Sequence, residues 1–130
     1  MRRVLVHSPD LLFYSQVKGT ALAAGWAVAQ IHLGRLPDDG VDGDAVIIDA
    51  TRDLPKAWAF LDSLRSHRPW LVLVAHQHLH PEVGEEALHR GATEAVRRGA
   101  ILSRLAQRIG GPSPDDAPFT GKPPGEAPKR

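Results

Sequence analysis

The stretches DAVIID at positions 44–49 and WLVLVA at positions 70–75 decide the fold. Neither alternates apolar with polar residues, as a strand with one solvated face would. Strands that are apolar throughout are typical of parallel sheets, because helices cover both faces of such a sheet. The first stretch ends in a carboxylate, Asp49. A parallel sheet binds its ligands outside the carboxyl ends of its strands, so Asp49 is a candidate functional residue.

Strand and helix patterns alternate on both sides of these two stretches. We predict strands at 4–6, 27–33, 44–49, 70–75 and 94–96, and helices at about 12–24, 54–64, 81–91 and 101–109. Asp53 is the expected N-cap of the second of these helices, with Pro55 in its first turn. Alternating strands and helices form right-handed crossovers. The predicted fold class is therefore α/β, a flavodoxin-like doubly wound five-stranded parallel sheet in the order 2-1-3-4-5.

One crossover is unusually short. Only ten residues separate Leu33 from Asp44, and Pro37, Gly40 and Gly43 are among them. A parallel connection usually needs a dozen residues or more. We therefore expect the helix between the second and third strands to be shortened or missing.

The last segment of the chain differs in composition from the rest. Residues 110–130 contain six of the eleven prolines and a single aromatic residue, Phe119. Such a segment buries too little apolar surface to offset the entropy lost on ordering. We predict a single domain at 1–109 and a flexible Pro/Gly-rich tail at 110–130.

Composition excludes several classes of function. The chain has no cysteine, which rules out disulfides, thiolate catalysis and cysteine-ligated zinc. A net charge of +1 gives no general attraction to nucleic acid or to anionic membranes. No apolar run approaches the roughly 18 residues of a membrane span, and the apolar start at 4–6 is too short for a signal peptide. The expected location is the cytoplasm. Nucleotide-binding glycine motifs and the G-x-S-x-G elbow are also missing, so we do not expect an enzyme.

Two motifs carry a resemblance to a known family. DAVIID at 44–49, and GATEAVRRG at 91–99 leading into the fifth strand, resemble the corresponding parts of response-regulator receiver (CheY-like) domains. The resemblance covers about the first 109 residues and extends to the order of the elements. It implies a role in two-component signalling, with Asp49 at the position of the phosphate acceptor.

The residues around that position depart from the family pattern. The resemblance places the surrounding pocket at Ser8, Pro9, Asp10, Ala75 and Arg98. The acidic pair falls on Ser8 and Pro9, or on His7 and Ser8 if the register slips by one. The hydroxyl position falls on Ala75, and the lysine position on Arg98. A lone Asp49, aided at most by Asp10, is a poor magnesium ligand set, and phosphoryl transfer to a carboxylate needs such a cation. We therefore predict a degenerate, or pseudo-receiver, domain: a non-catalytic signalling or protein-interaction module that needs no phosphorylation and no cofactor.

Two alternatives remain open at this point. The chain could be an atypical receiver that is phosphorylated on Asp49 with Mg²⁺ bound. It could instead bind a metal through His76, His78 and His80, which alternate in a loop, with Asp49 or His7 as a further ligand. The simpler interpretation of the loop is that it is solvated and that His80 caps the helix beginning at Pro81. For His7 we expect a residue at the edge of the core with its polar atoms satisfied.

The sequence does not identify a partner. Arg104 and Arg108 share a helix face at spacing i, i+4, and receivers often use that region for partners or dimers. A homodimer through the last helix and strand is therefore left open beside a simple solvated basic face. Nucleic acid is not expected, because aromatic residues for base stacking are missing there, and no membrane contact is expected. Among the three tryptophans, Trp58 is predicted to be the most exposed.

Overall fold

A computed structural model describes residues 2–31, 34–77 and 80–110. The strands are β1 (Arg3–His7), β2 (Ala27–Gln30), β3 (Ala45–Asp49), β4 (Leu71–His76) and β5 (Glu94–Arg97). The helices are α1 (Leu11–Ala23), α2 (Leu54–Ser63), α3 (Pro81–His89) and α4 (Ile101–Ile109), with a 3₁₀ turn at Arg98–Ala100. The strands are parallel in the order β2-β1-β3-β4-β5. The predicted α/β fold and strand order are confirmed.

The sheet separates two apolar layers. Val4 and Val6 of β1 face one side, where Phe13 of α1 and Leu105 of α4 pack. Leu5, which lies between them in the strand, faces the other side and packs with residues of α2 and α3. All five residues of β3 and the first five of β4 are buried. The apolar runs of the sequence therefore correspond to the two strands that helices cover on both faces.

The connection between β2 and β3 contains no helix in its described part, residues 34–44, so the expectation of a shortened or missing helix is confirmed there. The strand β2 itself ends at Gln30 and is shorter than predicted. Ile31 is outside the strand, and residues 32–33 lie outside the described part of the chain.

The helix boundaries follow local capping rules. Asp53 caps α2 by accepting a hydrogen bond from the backbone N–H of Lys56, with proline in the first turn, as predicted. Gly25 follows α1 in the left-handed conformation (φ +82°), which glycine adopts without a steric cost. His80 occupies the N-cap position of α3, but its side chain makes no capping hydrogen bond, so the capping role expected for it is wrong.

Two surface predictions are tested by the structure. Arg104 and Arg108 both form ion pairs with Glu94, which neutralises part of the basic face of α4. The prediction for Trp58 is wrong: its side chain is only partly exposed and lies below the guanidinium of Arg90 at 5.2 Å. Trp70 is instead the exposed tryptophan, with 48% of its surface accessible.

No helix in the described ranges is long and apolar enough to cross a membrane. The tail predicted at 110–130 lies outside them beyond Gly110.

Candidate functional site

The candidate site lies at the carboxyl edge of the sheet, where the segments after β1, β3 and β5 meet. Asp49 is the last residue of β3, and its side chain has no accessible surface. A buried carboxylate is stable only when neighbouring donors replace the water it has lost. The arrangement around Asp49 meets that requirement with donors from three separate segments.

Both oxygens of Asp49 have partners. The hydroxyl of Ser8 donates to Oδ2 at 2.7 Å. The backbone N–H of Thr51 donates to Oδ1 at 3.0 Å, and the Thr51 hydroxyl donates to the same oxygen. A guanidinium nitrogen of Arg98, Nη1, lies 3.6 Å from Oδ2. Asp49 is therefore held by two hydroxyls, one amide and one fixed cation.

Asp10 is the second carboxylate at this edge, and it has two tasks. Its Oδ1 accepts hydrogen bonds from the backbone N–H groups of Leu12 (3.0 Å) and Phe13 (3.1 Å), which begins helix α1. Its Oδ2 accepts a hydrogen bond from Nη2 of Arg98 at 2.5 Å. The hydrogen bond from Arg98, followed by that from the Phe13 amide, lowers the pKa of the Asp10 carboxyl below its usual 3.8.

Arg98 joins the two carboxylates. It opens the 3₁₀ turn that follows β5, so its side chain reaches back over the edge of the sheet. One arm of the guanidinium binds Asp10, and the other lies near Asp49 and donates to Thr51 Oγ1 at 3.2 Å. The plane also packs on Phe13, with Cζ 4.6 Å from the ring centroid. The set linked in this way, which we call the Asp49 network, comprises Ser8, Asp10, Asp49, Thr51 and Arg98.

The structure brings together most of the residues singled out from the sequence. Ser8, Asp10 and Arg98 contact Asp49 or one another, whereas Pro9 is exposed and has no polar side-chain atom to contribute. Ala75 is the β4 residue paired in register with Asp49, and it supplies no hydroxyl.

Sequence reasoning missed the part played by Thr51. A threonine two residues after an aspartate at a strand end is the local signal for such a turn, because the carboxylate can accept from the backbone two residues ahead.

The described residues contain no group of three histidine or acidic side chains that could hold a metal ion. Asp10 and Asp49, the two carboxylates that could share a divalent ion, instead share the guanidinium of Arg98. In the histidine loop, Nδ1 of His76 lies 3.1 Å from the backbone carbonyl of Gln77, and His80 pairs with Glu82. His78 lies outside the described residues, so the three-histidine hypothesis stays untested there.

His7 does not match its expected role. Its ring stacks on Phe60 with centroids 4.6 Å apart, and its buried Nδ1 has no hydrogen-bond partner among the described residues. The prediction that its polar atoms are satisfied is therefore wrong. Burial lowers the pKa of the imidazole below 6.5, and the opposing effects of its own backbone and of Asp49 are smaller.

The whole fold can be compared with solved structures. No protein-family model and no curated protein matches the sequence. The receiver domain of the Francisella response regulator 1452 is similar with a TM-score of 0.64 and 17% identity, over 83% of this chain and 93% of that one.

Two further structures show the same likeness. The signal receiver domain of a putative LuxO repressor from Vibrio parahaemolyticus gives a TM-score of 0.67 at 16% identity, over 85% and 88% of the two chains. Chemotaxis protein CheY4 of Vibrio cholerae gives 0.64 at 20% identity, over 84% and 98%. Receiver domains are thus the structural neighbours of this chain over more than four-fifths of its length. The protein has the fold of a response-regulator receiver domain.

Proposed function

We propose that this protein is a receiver-like signalling module that acts through protein contacts and does not depend on phosphorylation of Asp49. The receiver fold supports a place in two-component signalling. The observation that carries the phosphorylation-independent part is the guanidinium of Arg98, which bridges Asp10 and Asp49.

Asp49 is poorly placed to act as a nucleophile. Phosphoryl transfer to an aspartate needs one carboxylate oxygen exposed in line with the donor. Asp49 has no accessible side-chain surface, and both of its oxygens are engaged by Ser8, Thr51 and Arg98. Exposing either oxygen would break hydrogen bonds to a buried charge, each of which contributes about 1.5–3 kcal/mol.

Arg98 occupies the place where a divalent cation would bind. A divalent ion would have to bind where one charged side chain already links the two carboxylates. Arginine remains protonated at any physiological pH, and its planar set of donors matches carboxylates. Arg98 therefore supplies a permanent positive charge in place of an exchangeable divalent ion. This favours a network that keeps one arrangement of its hydrogen bonds.

Two exposed leucines at the start of α1 offer a surface for protein contacts. Leu11 and Leu12 follow directly after the helix-capping Asp10 and are 70% and 69% exposed. Large apolar side chains exposed side by side are typical of protein-binding surfaces. The Asp49 network fixes the start of α1 and so holds these two leucines in place.

The experiment is incubation of the full chain with acetyl phosphate and Mg²⁺, followed by intact-mass spectrometry. Asp49→Asn is the matched variant, and a receiver domain with a complete acidic pair serves as the positive control. We expect no mass gain of a phosphoryl group in either the native chain or the variant. A mass gain of one phosphoryl group in the native chain that is lost in Asp49→Asn would overturn the proposal in favour of an atypical receiver.

A second measurement tests the protein contacts. The immobilised chain is exposed to extract from its own cells with and without acetyl phosphate, and the retained proteins are quantified. We expect the same retained set in both conditions. Retention that rises or falls with the phosphate donor in the native chain, but not in Asp49→Asn, would contradict phosphorylation-independent binding.

A further inference from the structure

One side of helix α1 is apolar and is not covered by any described part of the chain. Leu11, Leu12 and Leu22 on this side are 70%, 69% and 53% exposed. The opposite side packs on the sheet through Phe13 and Val17. A surface helix normally carries polar residues on the side away from the core, so a helix that is apolar on both sides indicates a partner for the outer one.

We call this surface the outer face of α1. The exposed residues that form it are Leu11, Leu12, Ser15, Gly19, Leu22 and Ala23. Lys18 is the only charged residue of the helix, and the helical period places it at the edge of the face. A partner with a strongly charged surface would find no counter-charge here, whereas an uncharged apolar surface of similar size would match.

The middle of the outer face consists of small residues. Ser15 and Gly19 are four positions apart and are therefore neighbours on the helix surface. A Cβ atom added to Gly19 would meet no described atom within 4 Å, and the backbone there has no positive φ, so the fold of the single chain does not require glycine. Glycine in a helix interior costs stability relative to alanine, but it lets another backbone approach closely. The middle of the face is thus shaped for contact with a second helix.

The two ends of the outer face complement each other. Leu11 and Leu22 are separated by about three helical turns and so lie in one line along the helix, and Leu12 and Ala23 have the same separation. When a second copy of α1 lies antiparallel across the face, Leu11 of each copy meets Leu22 of the other copy. Leu12 meets Ala23 in the same way, and the small residues meet at the crossing. A two-fold interface requires such self-complementarity.

The area is sufficient for a weak dimer. A helix of 13 residues is about 20 Å long. Pairing two outer faces of this length buries on the order of 1,000 Å² in total, which is the lower limit for a specific interface. The antiparallel arrangement also places the N-terminus of each helix beside the C-terminus of the other, where the partial charges are opposite. The expected dissociation constant is roughly 10–100 µM.

From these observations we propose that two copies of this chain form a homodimer through the outer faces of α1, packed antiparallel about a two-fold axis at the middle of the helix. The inference rests on the proposed function, since it names the partner for the contact surface at Leu11 and Leu12. It differs from a dimer through the last helix and strand, where Arg104 and Arg108 are already paired with Glu94.

The test is sedimentation velocity of the full chain between about 10 µM and about 1 mM, a range in which the expected affinity gives a change from monomer to dimer. Two charge variants identify the face and its orientation. Leu11→Glu and Leu22→Lys each place an unpaired charge in the proposed interface, and each should weaken the homodimer at least about tenfold. An equal mixture of the two variants should dimerise with about the native affinity. Antiparallel packing sets the introduced carboxylate against the introduced ammonium and leaves a leucine pair at the other end.

Both substitutions suit their positions in the helix. An acid in the first turn and a base in the last turn interact favourably with the helix dipole. Recovery in the mixture also requires that each variant folds. Leu88→Glu, at a 50% exposed leucine of α3, is the matched control and should leave the dimer unchanged.

A native chain that stays monomeric at about 1 mM would overturn the homodimer, as would equal weakening by Leu88→Glu or a mixture that does not recover. If the native chain is monomeric and Leu11→Glu instead loses a protein retained from extract, the outer face binds a different partner. The homodimer is then ruled out while the proposed function stands. Failure of the proposed function has a separate signature, a phosphate-dependent mass gain or retention that is lost in Asp49→Asn.

Discussion

The Asp49 network and His7 are neighbours at the carboxyl edge of the sheet, yet they differ in how completely their polar atoms are paired. In the network, both oxygens of a fully buried carboxylate have donors. In His7, a buried ring nitrogen has no partner among the described residues. His7 and Ser8 are adjacent in sequence, so an unpaired polar atom and a paired one lie in neighbouring residues.

This difference separates a network whose polar groups are satisfied from a buried residue with an unsatisfied polar atom. A network that already satisfies its charges gains nothing from a ligand, and any ligand has to break contacts to enter. An unpaired buried polar atom gives the opposite situation, because it carries a cost that no partner offsets. Variants that break the network should therefore reduce stability.

The largest effect is expected for Arg98→Met. The substitution keeps an unbranched apolar side chain over Phe13 but removes the cation between Asp10 and Asp49. Removing one partner from a buried pair costs about 3–5 kcal/mol, and partial exposure of Arg98 reduces the expected loss here to about 2–3 kcal/mol. Urea unfolding, followed by circular dichroism, measures the free energy of unfolding.

The matched control is Arg97→Met, one residue earlier at an exposed position. It should change the free energy of unfolding by less than about 0.5 kcal/mol. If both variants lose the same small amount of free energy of unfolding, the Arg98 bridge contributes nothing to stability and the network does not stabilise the fold.

A smaller loss is expected for Ser8→Ala. The variant removes the hydroxyl that donates to Asp49 at 2.7 Å and accepts from the backbone N–H of Asp10 at 3.1 Å. Leaving a buried carboxylate oxygen with one donor fewer should lower the free energy of unfolding by about 1–2 kcal/mol. Ser15→Ala, at an exposed position of α1, is the control in the same urea experiment. Equal values for the two serine variants would show that Asp49 does not need this donor.

Much of the fold could be predicted from the sequence, because apolar runs such as those of β3 and β4, alternating with helix patterns, are typical of the centre of a covered parallel sheet. The gathering of Ser8, Asp10 and Arg98 near Asp49 follows from the same argument, since the carboxyl ends of parallel strands meet at one edge.

The pairing within the site could not be predicted in this way. Whether Asp10 points at the site depends on its simultaneous role as the cap of α1, and the reach of Arg98 depends on the 3₁₀ turn after β5. The unpaired nitrogen of His7 depends on packing against Phe60, which lies 53 residues away along the chain. Such tertiary contacts leave no local pattern in the sequence.

The smallest effect concerns pH and tests the burial of His7. The pKa of His7 in the folded chain lies below 6.5, mainly through burial, whereas the unfolded chain takes up this proton near 6.5. As the pH falls through this range, the unfolded state therefore binds more protons than the folded state. The free energy of unfolding consequently decreases until the pH reaches the folded pKa of His7. Asp10 does not interfere, because its pKa is lowered from 3.8 and lies below the window.

His7→Phe should consequently flatten the decline of the free energy of unfolding between about pH 7.5 and pH 5.5, since a phenyl ring binds no proton. The measurement is a series of urea titrations across that range. The matched control is His89→Phe, which replaces an exposed histidine of α3 in the same series. A native slope that is unchanged in His7→Phe would mean that the imidazole is solvated in the folded chain. The buried, unpaired state of the ring nitrogen would then be ruled out.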